Sequence, residues 1–162
     1  MRLPAVLALW CVGLSSLLGS ASAEAHKGIF IVRHAEKASG DPDALLSMQG
    51  EDRALGLARL LRNAGVTHVL HTDKARTRQT VEPLVEQKGL TAVAVPAADV
   101  AAMVKSLKAV PKDAVVVVAA HSDTIPKILQ GLGVTTPVTI RDDQYSRVFL
   151  VTESGQLIEL SY

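Results

Sequence analysis

The amino-acid sequence predicts an α/β fold, a three-layer α/β/α sandwich with a mostly parallel central sheet. Apolar runs of strand length alternate along the chain with segments of helical periodicity, which is typical of a sheet covered by helices on both faces. The run at residues 114–120 is entirely apolar and rich in valine, as expected for a central strand buried on both faces. With 162 residues, 48% of them hydrophobic, the chain is long enough for one domain with one core.

The first strand is predicted at residues 28–32, where a short apolar run ends in polar residues. A helix is predicted at residues 47–64, because apolar residues recur there at helical spacing and arginines fall on the opposite face. The apolar set includes Leu55, Ala58 and Leu61, and the arginines expected to face outward are Arg53, Arg59 and Arg62.

The remaining predicted elements continue the same alternation. They are strands at residues 66–71, 91–95 and 114–120, and helices at residues 74–88, 100–109 and 125–132. Gly89 ends the second helix and Pro96 ends the third strand. Residues 147–152 and 156–160, joined through Gly155, predict a closing hairpin.

The first 23 residues have the features of a secretory signal peptide. Arg2 supplies a positive charge, residues 5–18 carry no charge, and Ala21-Ser22-Ala23 places small residues where a signal peptidase cleaves. Because residues 5–18 fall short of the ~20 residues that cross a bilayer, we expect cleavage and no stable membrane anchor. The predicted organisation is a signal peptide at 1–23 and a single domain at 24–162, in the periplasm or secreted.

Composition excludes several classes of function. Cys11 is the only cysteine and lies in the predicted signal peptide, so the mature chain has no disulfide, cysteine nucleophile or thiolate metal site. Arg2 is also lost, which brings the formal net charge from +1 for the whole chain to zero for residues 24–162. A neutral chain with only 3% aromatic residues lacks the basic field and the stacking side chains of a nucleic-acid-binding protein.

Polar residues that are able to catalyse a reaction or bind a ligand follow the predicted strands. Ligands of an open parallel sheet bind beyond the carboxyl ends of the strands, so residues just past each strand gather at one edge. We expect that edge to carry Arg33-His34, His71-Thr72, Asp99 and His121-Ser122, and Arg76 in the first turn of the second helix to point back to it.

Arginine and histidine together favour phosphate chemistry. The donors of a guanidinium match phosphate oxygens, and Arg33 and Arg76 offset the charge of a phosphate dianion. A histidine beside them that stays neutral has a lone pair free to attack phosphorus. The competing interpretation is a zinc site formed by His34, His71 and His121, which two convergent arginines disfavour because they repel a divalent cation.

Three segments, in order along the chain, resemble the histidine phosphatase superfamily, whose fold is phosphoglycerate mutase-like. Arg33-His34-Ala35-Glu36 resembles the family's Arg-His-Gly/Ala-Glu signature. Residues 72–80 resemble its Ser-Asp-Leu-x-Arg-Ala-x-Gln-Thr segment, and residues 120–126 its Gly-His-Ser-Asn-Thr-Ile-Pro segment. The likeness extends over nearly all of residues 28–160. The chain resembles a short, exported member of branch 1 of this superfamily.

The resemblance implies a role for each matching residue. His34 is the residue phosphorylated during turnover, and Arg33, Arg76 and His121 complete the phosphate-binding pocket. Positioning and charge stabilisation supply most of the catalysis in such a pocket. The register of the second segment favours Arg76 over the neighbouring Arg78. The resemblance implies no metal and no organic cofactor.

The proton donor for the leaving oxygen is the most open assignment. Many relatives have an acidic residue after the third strand, which points to Asp99, although Asp99 also stands where a helix N-cap is expected. Asp123 and Glu36 are the alternatives, and some relatives work without a dedicated acid. Lys37 and Ser122 are candidate substrate-binding residues, and Lys37 is equally well explained as a solvated loop lysine.

The implied function is that of an exported phosphatase that hydrolyses a small phosphomonoester through a phosphohistidine on His34. Cap insertions are absent, so we expect an open, shallow site shaped only by residues 40–46, 96–98 and 135–145. A phosphohistidine or a lipopolysaccharide phosphate is an alternative substrate. The alternative of a different class is a phospholigand-binding relative without turnover. No pattern in the sequence defines an oligomeric state.

Overall fold

The computed structural model describes residues 27–162. The predicted signal peptide, its cleavage site and Cys11 lie outside these residues, so the domain boundary at residues 23 and 24 stays a prediction. Within residues 27–162, no helix is long and apolar enough to cross a membrane.

Strands and helices alternate along the described residues. In chain order they are β1 (Gly28–Arg33), α1 (Met48–Leu60), β2 (His68–Thr72), α2 (Ala75–Lys88), β3 (Ala92–Val95), α3 (Val100–Ala109), β4 (Val115–Ala120), α4 (Ile125–Gly131), β5 (Arg147–Thr152) and β6 (Leu157–Ser161). Apart from α1, each boundary lies within two residues of the predicted one.

The strands form one mixed sheet in the order β3-β2-β4-β1-β5-β6. The first four strands of the chain run parallel, while β5 pairs antiparallel with β1 and β6 antiparallel with β5. Strand β4 lies between β1 and β2, and Val116 to Val118 are fully buried, as the apolar run predicted. The mostly parallel sheet with a closing hairpin is therefore confirmed.

Helices cover both faces of the sheet, which gives the three predicted layers. On one face, α3 and α4 contribute Met103, Leu107, Ile125, Ile128 and Leu129 to a core cluster. On the other face, α1 and α2 contribute Leu57, Ala58, Val81 and Leu84 to a second cluster. Because burial of one such aliphatic side chain stabilises the fold by about 1.5–3 kcal/mol, these two layers hold the helices on the sheet.

The first helix differs from the prediction in its length and in the face that it buries. It ends at Leu60, and residues 61–65 form a turn that Gly65 completes with a φ of 69°. Its buried residues are Gly50, Ala54, Leu57 and Ala58. Leu55 falls off that face and is 46% exposed, so the prediction that it packs in the core is wrong.

Candidate active site

The site lies at the carboxyl edge of β1, β2 and β4. Residue pairing across these strands sets Arg33 beside Ala120 and His71 beside Ala119. The His34 amide continues the ladder by donating to the Ala120 carbonyl oxygen at 2.9 Å. Because the three strands end level with one another, the residues that follow them meet, and the rings of His34 and His121 lie 5.3 Å apart.

His34 has a defined tautomer. Its Nδ1 lies 2.8 Å from the carbonyl oxygen of Ala35, and because a carbonyl only accepts hydrogen bonds, Nδ1 carries the hydrogen. The lone pair is then on Nε2. The residue is 5% exposed, so the ring is held in place at the edge of the sheet.

The surroundings of His34 keep it neutral. Burial lowers the pKa of His34 from 6.5 to about 3, and the positive charges of Arg76 and Arg33 and the neighbouring His121 act in the same direction. The hydrogen bond to the Ala35 carbonyl opposes this shift without cancelling it. At neutral pH the imidazole therefore keeps its lone pair, which a nucleophile requires.

His121 is held by a chain of hydrogen bonds. Its Nδ1 faces Arg76 Nη2 at 3.4 Å, and since a guanidinium only donates, Nδ1 accepts and Nε2 donates to Thr72 Oγ1 at 2.9 Å. Thr72 Oγ1 lies in turn 2.9 Å from Thr77 Oγ1. Thr124 fixes the backbone, because its hydroxyl accepts from the His121 amide at 3.1 Å.

The pKa of His121 is also lowered, from 6.5 to about 4. Burial is the main cause and the charge of Arg76 adds to it, while Asp123 acts in the opposite direction. His121 is therefore a neutral neighbour of His34 at physiological pH, and its tautomer is set by Arg76 and Thr72.

Arg33 reaches across to the loop between α4 and β5. Its Nη1 donates to the carbonyl oxygens of Arg141 at 3.0 Å and Asp142 at 2.9 Å. Its Nη2 lies 3.4 Å from the Tyr145 hydroxyl. The residue is 7% exposed, and among the described residues its Nε has no hydrogen-bond partner.

Arg76 is arranged in the same way at the start of α2. Its Nη1 donates to the carbonyl oxygen of Pro42 at 2.7 Å and its Nη2 faces His121. Its Nε is buried and has no partner within residues 27–162. Each arginine is thus anchored through Nη1, each has a buried Nε–H without a partner in residues 27–162, and the charge of each lowers the pKa of His34.

Thr80 joins the two segments that carry His34 and Arg76. Its Oγ1 accepts from the Ala35 amide at 2.9 Å and donates to the Arg76 carbonyl oxygen at 2.7 Å. Gln79 Oε1 accepts from the Leu46 amide at 2.9 Å and holds the loop before α1. Both residues belong to the motif that favoured Arg76, and the structure gives each a contact of its own.

The candidate acids differ in their surroundings. Both carboxylate oxygens of Glu36 accept hydrogen bonds from the Arg53 guanidinium, at 2.5–2.9 Å. Arg53 therefore points towards Glu36, and the prediction that it faces outward from the first helix is wrong. Asp99 is exposed and caps α3 by accepting from the Ala102 amide at 2.8 Å. Asp123 is exposed, lies two residues after His121 and acts to raise the pKa of His121. None of the three is in hydrogen-bonding contact with His34, so the identity of the acid stays a prediction.

The predicted substrate-binding residues Lys37 and Ser122 follow His34 and His121 in the sequence. Lys37 is half-buried and forms a short antiparallel bridge with Leu46. Ser122 is half-buried beside His121.

His71, which the zinc alternative requires, turns its Nδ1 to the Thr72 carbonyl oxygen at 2.6 Å. Within residues 27–162 no group of three or more histidine, cysteine, aspartate or glutamate side chains is arranged to hold a metal ion.

Sequence reasoning assigned no role to three residues of the site. Thr72 was expected at this edge and Thr77 was matched only as a motif position, although their hydroxyls support His121. Tyr145 was placed only in a loop that shapes specificity, yet its ring covers Arg33 at 4.1 Å. The available signal was its chemistry, because an aromatic residue in a polar loop is unusual in a chain with only five aromatic residues, two Tyr, two Phe and one Trp.

A neutral histidine with two anchored arginines acting on it, at the carboxyl edge of a mostly parallel sheet, defines an α/β protein with a candidate oxyanion-binding site. Comparison with known proteins agrees with this class. Residues 29–99 match the model of the histidine phosphatase superfamily, branch 1. Over these residues the chain is similar to members of this superfamily.

Relatives in sequence match part of the chain. The protein named "Probable phosphoglycerate mutase GpmB" in Erwinia tasmaniensis is 32% identical over 72 residues, which cover 40% of this chain and 34% of that protein. Its namesake in Shigella dysenteriae serotype 1 is 32% identical over 68 residues, covering 38% and 32%. The chain thus matches about a third of the length of these curated relatives.

Solved structures match the whole fold. The protein histidine phosphatase SixA, complexed with tungstate, superposes with a TM-score of 0.66 at 21% identity, over 83% of this chain and 96% of that one. A mycobacterial glucosyl-3-phosphoglycerate phosphatase superposes with a TM-score of 0.62 at 14% identity, over 84% and 97%. At this identity the likeness establishes a shared fold.

Proposed function

We propose that this protein is a phosphatase that hydrolyses a small phosphomonoester through a phosphohistidine on His34. One observation carries the proposal. Arg33 and Arg76 are both anchored through Nη1, both carry a buried Nε–H without a partner in the described residues, and the charges of both help to keep His34 neutral. Buried donors without a partner are costly, and a phosphate dianion supplies the acceptors that they lack.

In the first step, the lone pair on His34 Nε2 attacks phosphorus and forms the N–P bond. The P–O bond to the leaving group breaks, and the leaving oxygen takes a proton. Arg33 and Arg76 bind the equatorial oxygens of the transferring group and offset the charge that develops on them. The Nδ1–H of His34 keeps its bond to the Ala35 carbonyl, which stabilises the ring while it carries the phosphoryl group.

In the second step, water attacks the phosphorus of the phosphohistidine. The N–P bond breaks, its electron pair returns to Nε2, and inorganic phosphate leaves. Asp99 and Asp123 are the exposed candidates to give and take the proton. Glu36 is a weaker candidate, because both of its oxygens are engaged by Arg53.

A phosphorylated histidine is the second candidate substrate. It is favoured by the match in size, since the chain covers 96% of the protein histidine phosphatase SixA and no cap domain interrupts residues 27–162. We further propose that residues 1–23 direct export to the periplasm or the medium. A periplasmic or extracellular location is also compatible with a lipopolysaccharide phosphate as substrate.

Hydrolysis of p-nitrophenyl phosphate at several pH values tests the proposal. Purified protein expressed from the full chain is compared with the variants His34→Ala and His68→Ala. His68 is a matched control because it lies at the opposite end of β2, paired with Val116. We expect His34→Ala alone to lose activity, and we expect an acid-labile phosphoryl group on the wild-type protein in a rapid quench. Equal background rates for wild type and His34→Ala would instead favour a phospholigand-binding protein without turnover.

A further inference from the structure

The loop at residues 141–145 holds Arg33 across a long sequence separation. Arg141 and Asp142, 108 and 109 residues further along the chain, accept hydrogen bonds from Nη1 through their backbone carbonyls. Backbone carbonyls hold one end of the guanidinium but do not stop the group from tilting about that end. Nη1 is therefore fixed in position, while the opposite Nε–Nη2 edge needs a second restraint.

Tyr145 supplies a contact on the face of the guanidinium. The Arg33 Cζ lies 4.1 Å from the centre of the Tyr145 ring, well inside the ~6 Å range of a cation–π interaction. The same ring lies 6.2 Å from the ring of His34. Tyr145 is half-buried, so it forms part of the wall between Arg33 and solvent.

We propose that Tyr145 is a positioning residue for Arg33. Its ring prevents the guanidinium from tilting, so that the Nε–Nη2 edge faces the oxyanion beside His34. This inference rests on the proposed function and names a residue that acts on the substrate only through Arg33. The Asp142 carboxylate does not share this role, because it is 98% exposed and 3.7 Å from Nη2, where solvent screens the attraction.

A positioning role predicts a specific pattern among variants. Tyr145→Phe keeps the ring, so it binds oxyanions within about twofold of wild type, whereas Tyr145→Leu keeps apolar bulk but loses the π face. We expect Tyr145→Leu and Tyr145→Ala to raise the Kd for tungstate and the KM for p-nitrophenyl phosphate together by about tenfold. The value of kcat falls less, because His34 and Arg76 are unchanged.

The experiment measures tungstate binding by titration calorimetry, and KM and kcat separately, on the full chain. Arg33→Ala is the reference for complete loss of this guanidinium, and Asp142→Asn is the matched control in the same loop, expected to bind tungstate like wild type. Thermal unfolding is recorded for each variant. Loss of folded protein alone would lower kcat and leave the Kd of the folded fraction unchanged.

Three results would overturn the inference. They are wild-type tungstate affinity in Tyr145→Ala, equal behaviour of Tyr145→Leu and Tyr145→Phe, and a loss in Asp142→Asn as large as in Tyr145→Ala. The binding measurements do not depend on turnover. A wild-type protein that binds tungstate but hydrolyses nothing would therefore refute the proposed function, while the same variants would still decide the role of Tyr145.

Discussion

Arg76 and Arg78 lie two positions apart on α2, yet they have different surroundings. Arg76 is directed to Pro42 and His121 at the sheet edge. Arg78 points to solvent and pairs with Glu82 one helical turn later, at 2.6 Å. The contrast arises because successive positions on a helix are rotated by 100°, so a separation of two residues turns the side chains to nearly opposite sides.

This contrast makes a matched pair of substitutions. Arg76→Lys keeps the charge but removes the Nε–H and the planar arrangement of donors, so we expect kcat/KM to fall by about 10²-fold. Arg78→Lys is expected to leave kcat/KM within about twofold, because an exposed ion pair contributes little. Steady-state kinetics with p-nitrophenyl phosphate checks both. Equal losses in the two variants would contradict the assignment of Arg76 to the pocket.

Among the individual residues of the site, some were predictable from the sequence and Tyr145 was not. His34, Arg76 and His121 were expected together because strand ends of a parallel sheet share an edge and the motifs fix the register. Tyr145 was not, because its contact depends on the path of a loop more than one hundred residues away from Arg33. Loop paths are set by tertiary packing, which local sequence patterns do not encode.

Among the elements, α1 is fixed most tightly at its first turn. Ser47 caps the helix by accepting from the Gly50 amide at 3.1 Å, and the Ser47 amide donates to the Glu36 carbonyl oxygen. A Cβ on Gly50 would clash with that carbonyl oxygen and lie 3.1 Å from the Glu36 amide nitrogen. The helix therefore packs directly on the backbone two residues after His34, and only glycine allows this approach.

Two glycines of α1 allow a controlled test of this close contact between the helix and the Glu36 backbone. We expect Gly50→Ala to reduce the free energy of unfolding by about 1–3 kcal/mol, because helix and strand-end backbone must separate. Gly56→Ala is the control, since its Cβ would meet Tyr162 at an ordinary 3.5 Å and alanine favours the helix by up to about 1 kcal/mol. Urea unfolding measures both. A Gly50→Ala variant as stable as Gly56→Ala would contradict the close contact.

The elements themselves were largely predictable, and the exceptions have a physical reason. The bounds of α3 and β5 follow the prediction, because Asp99 caps α3 and the apolar run of β5 is short and clearly bounded. In α1, the alanines and glycine of the buried face are weakly apolar, so the sequence pattern shifted the expected face towards Leu55. Small residues allow close helix packing but carry little hydrophobic signal.

For the whole molecule, two buried neutral histidines make stability depend on pH. An unfolded histidine has a pKa of about 6.5, whereas the folded pKa values are about 3 for His34 and about 4 for His121. Between these values the unfolded chain binds protons that the folded protein does not. The free energy of unfolding therefore falls as pH falls through this window, by up to about 1.4 kcal/mol per pH unit for each histidine.

Urea unfolding between pH 7 and pH 5 measures this dependence. The wild-type protein is expected to lose stability across this range, and a His34→Gln, His121→Gln double variant is expected to show a clearly shallower slope. Carboxylates contribute equally to both proteins, so the difference in slope reports the two histidines. Parallel slopes would mean that the histidines titrate normally in the folded protein.

The anchoring of Arg33 and Arg76 on backbone carbonyls also bears on how the proposed catalytic cycle ends. Donors that are already oriented require little rearrangement when a substrate arrives, so capture is rapid. The same rigidity gives them no means of distinguishing an incoming phosphoryl group from the inorganic phosphate left after hydrolysis. For the proposed phosphatase we therefore expect such a pocket to retain its product, so that phosphate release rather than bond cleavage limits turnover.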